Sequence, residues 1–157
     1  MNFMTRWIKM SWQRNAVALS AAGLVALASW ESFRSEPYRD IGGVWTDGFG
    51  NTNNVQPSKS VSVPQALNQL LINVKSAEGA VNTCITKPMT QGEYDAFVKF
   101  TFNVGNRAFC NSTLVRKFNA GDNVGACNEL NKWVYVKGQR VQGLANRREA
   151  ERKLCLS

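Results

Sequence analysis

The 157-residue chain contains no histidine. That absence removes Ser-His and Cys-His nucleophilic pairs and His-ligated zinc. Any hydrolytic chemistry is left to carboxylates, and neither a metal nor a cofactor is expected. No two cysteines have CxxC spacing, no cysteine precedes Cys84, and no acidic residue precedes Glu31. The net charge is +8, but no RNP-like or zinc-finger pattern accompanies it, so nucleic acid is not the expected partner. A basic surface also suits lipid headgroups or cell wall. Arg6, Lys9 and Arg14 lie before the apolar run, which leaves the rest of the chain at +5.

A long hydrophobic run is missing too. The most apolar stretch, Ala16 to Trp30, is rich in alanine and interrupted by Ser20, Gly23 and Ser29. As a helix it would measure about 22 Å, against roughly 30 Å for the hydrocarbon core of a bilayer. The preceding basic residues predict that its N-terminal side stays in the cytoplasm and the remainder is exported. Two readings of the run compete: a cleaved signal peptide, with Ala26-Leu27-Ala28 before Ser29 as the cleavage site, and an uncleaved anchor too weakly apolar to hold the bilayer firmly.

What is present reads as one globular domain: 44% hydrophobic and 19% charged residues, with no repeats or low-complexity linker. Asp47-Gly48 in "GGVWTDGFGNT" is a hairpin signal. Pro64 opens a helical run carrying Ala66, Leu67, Leu70, Leu71 and Val74. Thr90 and Glu93 form a capping box ahead of a helix that is apolar on most sides, which predicts a buried central helix. Ser112 to Asn119 reads as a short helix stopped near Gly121, and Asp122 can cap another reaching Val134. The tail "LANRREAERKLCL" reads as a basic amphipathic helix, with Arg147 and Arg148 expected as solvated charges and pairing with an active-site carboxylate as the alternative. Trp45 and Trp133 are expected in the core, and Trp30 near a cleft. The fold class is α+β with a helical majority and one small hairpin region near the front.

Four cysteines, Cys84, Cys110, Cys127 and Cys155, in a chain that reads as exported favour two disulfides over four free thiols. Three pairings remain open. The nearest-neighbour guess, 84 with 110 and 127 with 155, closes loops of about 25 to 30 residues, each contributing about 3 to 4 kcal/mol.

Glu31, Asp40 and Thr46 are spaced nine and six residues apart. Glycoside hydrolysis needs two carboxyl groups in unlike environments, one protonated and one ionised. Glu31 falls at a helix end beside the apolar Trp30 and Phe33, whereas Asp40 falls in a polar, glycine-bounded turn. Thr46 offers a hydroxyl to a water.

The pattern E-x8-D-x5-T-x-G-x-G from Glu31 to Gly50 resembles the catalytic signature of phage lysozymes, glycoside hydrolase family 24. "FNVGNRAFCNSTLVRKFNAGD" and "GACNELNKWVYVKGQRVQGLANRREAERKLC" resemble the family's later segments, so the likeness runs from Trp30 nearly to the end. It implies a lysozyme-like fold over 30–157. By resemblance Glu31 is the general acid, Asp40 the base or stabiliser on the opposite sugar face, Thr46 the water-positioning group and Asn103 a substrate-binding residue. The implied substrate is the β-1,4 bond between N-acetylmuramic acid and N-acetylglucosamine in peptidoglycan. Asn51 departs from a histidine frequent in the family and is expected to be structural, and Asp47 adds a charge beside Thr46 but reads as a turn residue. Residues 1–29, with residues 15–30 engaging the inner membrane, resemble the signal-anchor-release segment of some members. That likeness implies export by the host secretion machinery, tethering with the domain in the periplasm, and release when a holin or similar protein collapses the membrane potential. A monomer is expected. The alternative reading is a non-catalytic wall-binding or membrane-interaction module on the same fold.

Overall fold

The computed structural model describes residues 18–157. The basic stretch with Arg6, Lys9 and Arg14, and the start of the apolar run, lie outside the described residues. From Ala18 onward the fold is mostly helical with one two-stranded hairpin of note, as the sequence pattern predicts.

The first helix, α1 (Ala21–Glu31), begins at Ser20, whose hydroxyl accepts from Gly23 N at 2.9 Å. It ends at Glu31 because Ser32 takes a left-handed φ of 54° and turns the chain away. Among the described residues, no helix is long and apolar enough to cross a membrane. The described part of the apolar run is instead docked on the domain: Leu27 is fully buried, and Leu24 and Ala28 pack against the core.

Strands β1 (Arg34–Arg39) and β2 (Trp45–Gly48) pair antiparallel, with Tyr38 opposite Thr46 and Arg39 opposite Trp45. The connecting turn runs through Asp40–Val44, not through Asp47-Gly48. Asp47 starts a second, tighter turn, in which it exchanges both backbone hydrogen bonds with Asn51. Gly48 and Gly50 supply the positive φ values that this turn requires.

The long α2 (Val63–Cys84) carries a complete capping box from Ser62 and Gln65, with Pro64 in its first turn. Of its expected apolar face, Ala66, Leu70 and Val74 are buried, while Leu67 and Leu71 face solvent. The capping box of Thr90 and Glu93 opens α3 (Gln91–Val104), in which Glu93 through Thr101 are all buried. This is the predicted central helix, and α1, α2 and α7 pack around it. Below it α4 (Asn106–Cys110) and α5 (Thr113–Asn119) bring Phe109 and Phe118 against Phe97, at centroid distances of 6.1 and 5.2 Å. The helix capped by Asp122 is shorter than expected: α6 (Asn123–Glu129) passes into a 3-10 turn (Leu130–Lys132). A two-residue ribbon, β3 (Tyr135–Val136) with β4 (Gln139–Arg140), follows. Trp133 is only partly buried, with its ring edge on Phe100, and Trp45 is half-buried beneath Arg39. The C-terminal α7 (Gln142–Cys155) crosses α3. Disulfides join Cys84 to Cys110 and Cys127 to Cys155.

Candidate active site

Glu31 is the last residue of α1, and its carboxylate is mostly covered. Its partner comes from the far end of the chain: Arg147 Nη1, on α7, donates to Glu31 Oε1 at 2.7 Å. The expected apolar surroundings are therefore not what encloses it. Trp30 and Phe33 are largely exposed, and Phe33 packs on Phe49. Gly50 closes in from another side, so near that a Cβ there would collide with the carboxylate. The glycine after β2 is thus required twice, for its φ of 70° and for this approach.

Asp40 sits at the hairpin turn, with Oδ1 accepting from Val44 N at 2.8 Å. Its backbone N–H donates to Val44 O at 2.9 Å, and its carbonyl accepts from Gly43 N. The side chain is fixed by its own turn. Tyr38 lies on β1, between Glu31 and Asp40 in sequence. Burial pushes its phenol above the ordinary value, Arg34 lowers it, and the negative charges of both Glu31 and Asp40 raise it. Thr46, across the ladder from Tyr38, is buried, and its hydroxyl donates to Val44 O at 3.1 Å. Its oxygen lone pairs remain for a water.

Asp47 is buried and accepts from Asn51 Nδ2 at 2.8 Å, and Asn51 Oδ1 accepts from Asn53 N and Asn73 Nδ2. Both residues brace the loop after β2. Alongside that loop a cleft of about 290 Å³ runs between Gly50 and Asn53 on one side and Asn73, Ser76, Phe102 and Gly105 on the other. Its lining is polar and open.

Arg147 and Arg148 are not solvated charges. Both are buried, because α7 lays this face on α3. Arg148 Nη2 donates to Asn103 Oδ1 at 2.6 Å, and its guanidinium lies 4.9 Å from the Phe100 ring centroid. Burial lowers its pKa to about 10 despite Glu151 nearby, which still leaves it charged at neutral pH. Asn103, exposed at the end of α3, is thereby held by its carbonyl end. The sequence signal for this face was available in the i,i+3 and i,i+4 spacing of Arg148 and Arg147 with Glu151. Tyr38 carried no comparable signal, whereas Gly50 closes the pattern that begins at Glu31. Among the described residues, no cluster of acidic or cysteine side chains is arranged to hold a metal ion.

Comparison with known proteins places this geometry. The phage lysozyme family model matches residues 28–151. An endolysin of Acyrthosiphon pisum secondary endosymbiont phage 1 is 38% identical over 140 residues, covering 87% of this chain and 96% of its own. A SAR-endolysin of bacteriophage PS119 is 36% identical over 159 residues, with 91% and 93% covered. The solved endolysin from Escherichia coli O157:H7 phage FAHEc1 superposes with a TM-score of 0.78 at 35% identity, covering 90% of this chain and 95% of that one. The active form of the P1 phage endolysin Lyz gives a TM-score of 0.76 at 31% identity, with 87% and 84% covered. Its secreted inactive form gives 0.62 at 30% identity, with 88% and 95% covered. The chain belongs to the phage lysozyme family.

Proposed function

We propose that the protein is an endolysin that hydrolyses the β-1,4 bond between N-acetylmuramic acid and N-acetylglucosamine. Membership in the phage lysozyme family supports peptidoglycan lysis by a glycosidase-type hydrolase; the particular bond and the residue roles are this proposal. One observation carries it: the mostly covered Glu31 carboxylate lies against Gly50, which lines the polar cleft. Glu31 protonates the glycosidic oxygen. Asp40, on the hairpin, faces the other side of the sugar, where it stabilises the oxocarbenium-like carbon or takes a proton from water. The donor of Thr46 is engaged with Val44, so a water meets this hydroxyl as an acceptor. An O–H of that water aimed at Thr46 leaves its lone pair for the anomeric carbon. Asn103, held at Oδ1 by Arg148, turns its amide N–H groups to a sugar oxygen. Purified protein should release new reducing ends from peptidoglycan, each on N-acetylmuramic acid. Binding without new ends would favour the non-catalytic module instead.

The N-terminal segment, residues 1–29, fits a releasable anchor on a lysozyme domain of residues 30–157. In this reading the chain leaves through the host secretion machinery, is tethered by residues 15–30 with its domain in the periplasm, and works as a monomer once a holin or similar protein frees it. The SAR-endolysin relatives support it. Mass spectrometry of the periplasmic protein should find Met1 or Asn2 at its N-terminus; a start at Ser29 means ordinary signal cleavage.

A further inference from the structure

The cleft lined by Gly50 has a neighbour. A second cavity of about 250 Å³ opens between the loop after β2 and the first turns of α2, and its walls include Asp47, Asn54, Lys59, Gln65 and Gln69. Asn53 lines both cavities. A row of bonded carboxamides forms the partition. Asn53 Nδ2 and Gln69 Nε2 donate to Asn73 Oδ1 at 3.2 and 3.0 Å, and Asn73 Nδ2 donates to Asn51 Oδ1 at 3.3 Å. Asn51 Nδ2 in turn donates to Asp47. A polymer in the cleft and a side branch in this cavity would lie on two sides of one hydrogen-bonded wall.

Unlike the cleft, this cavity carries charge of both signs. Asp47 is only 6% exposed. Its side-chain donor among the described residues is Asn51 Nδ2, at 2.8 Å on Oδ1. Lys59 stands in the same lining, and among the described residues neither it nor Asp47 forms an ion pair. A buried carboxylate is stable where donors or a cation meet it, and Asp47 has one oxygen left for them. The carboxamides add a second complement. Gln65 Oε1 accepts from the backbone N–H and the hydroxyl of Ser62, both at 2.9 Å, which leaves its amide as a donor. Gln69 gives its amide to Asn73, which leaves its carbonyl as an acceptor. One anion, one cation, one amide donor and one carbonyl acceptor thus line a single cavity.

We propose that this cavity binds the short peptide that branches from N-acetylmuramic acid in the wall polymer, with Asp47 receiving its ammonium group and Lys59 a carboxylate. The proposal rests on the reading of the cleft as the site of glycan hydrolysis. A further stretch of glycan is the poorer occupant, because neutral sugars give neither Asp47 nor Lys59 a partner. An anionic lipid or a nucleic acid suits Lys59 but is repelled by Asp47. A peptide with an uncross-linked diamino acid carries a free ammonium and free carboxylates, and its backbone supplies the N–H and C=O that Gln69 and Gln65 complement. The shared wall at Asn53 accounts for the placement: the branch leaves the sugar strand in the cleft and enters the cavity beside it.

The test measures reducing-end release from two soluble glycan strands, one bearing uncross-linked peptides and one stripped of them by an amidase. The wild type is compared with Lys59→Gln and Asp47→Asn. The wild type should favour the peptide-bearing strand by about tenfold in kcat/KM, the scale of one hydrogen bond to a charged group. Each variant should lose most of that preference through a raised KM on the peptide-bearing strand. Asp47→Asn keeps the oxygen that Asn51 holds and removes the charge. Lys59 is exposed, so Lys59→Gln keeps the test open should Asp47→Asn disturb the loop. No preference in the wild type, or an unaltered preference in Lys59→Gln, overturns the proposal. The free peptide, titrated at millimolar concentration into nitrogen-15-labelled protein, gives a reading without hydrolysis. Side-chain amide signals of Asn54, Gln65 and Gln69 should move in the wild type and stay still in Lys59→Gln; signals that stay still in the wild type overturn the proposal equally. Failure to cleave either strand sinks the muramidase reading, while the amide signals still decide the cavity.

Discussion

Helices α1 and α7 both lie on the central α3 and meet at the Glu31–Arg147 pair, yet they are held by different means. α7 is bonded covalently through Cys127–Cys155, and Arg147 and Arg148 tie it to α3 through the Lys99 carbonyl and Asn103 Oδ1. α1 has one fully buried leucine, with Val25 and Trp30 left to solvent. Apart from the Glu31–Arg147 pair, its polar attachment is gathered at its start. Asp95, buried on α3, accepts from Ser20 N at 2.9 Å, from the Ser20 hydroxyl and from Gln91 Nε2 at 2.7 Å. Leu19 N donates to Glu78, and Gly23 leaves room for the Asp95 carboxylate where a Cβ would crowd it. The C-terminal helix is therefore a fixed part of the core, and the N-terminal helix is a docked one. Glu31, the proposed acid, sits on the docked member.

The comparison can be broken at its functional end first. Glu31→Gln should reduce wall hydrolysis by about 10² to 10⁴-fold, while the circular dichroism spectrum stays that of the wild type. Joint replacement of Cys127 and Cys155 by serine should cost about 3 to 4 kcal/mol of global stability in denaturant melts. A much smaller loss would mean that α7 is held by its ion pairs alone. Leu27→Ala should cost about 3 kcal/mol and should loosen α1 selectively. Amide hydrogen exchange would rise over residues 21–31 before it rises in α3, whereas uniform acceleration would make α1 an integral part of the core. Asp95→Ala should cost about 1 to 3 kcal/mol, read the same way, with activity falling in step with α1 protection. Val25→Ser, on the exposed side of α1, should change stability by less than about 0.5 kcal/mol. A larger effect would mean that this face is covered in solution.

Local chemistry was legible wherever the partners are close in sequence. The capping box of Thr90 and Glu93 and the Asp122 cap are decided within three residues. Apolar density alone marked α3 as buried. The hairpin was legible as a region but not in its turn. Asp47-Gly48 carries the stronger turn signature, yet the ladder closes around Asp40–Val44, because Asp40 supplies its own acceptor for Val44 N. The motif from Glu31 to Gly50 located the proposed chemistry, but the immediate company of Glu31 was misread. Its sequence neighbours Trp30 and Phe33 face outward, and its partner is Arg147.

What the sequence determined by itself, then, is the order of helices, their caps, the family signature and the absence of any histidine-based chemistry. Tertiary structure alone decided which charges lose their water. Arg147, Arg148 and Glu151 stand in a run whose composition reads as a solvated surface, and Asp95 and Lys99 interrupt an otherwise apolar helix. Each is buried only because α3 and α7 press these faces together, and the decisive contact joins residues 116 positions apart. Local pattern sets which side chains share a helical face, whereas the cost of burying a charge depends on what arrives opposite it.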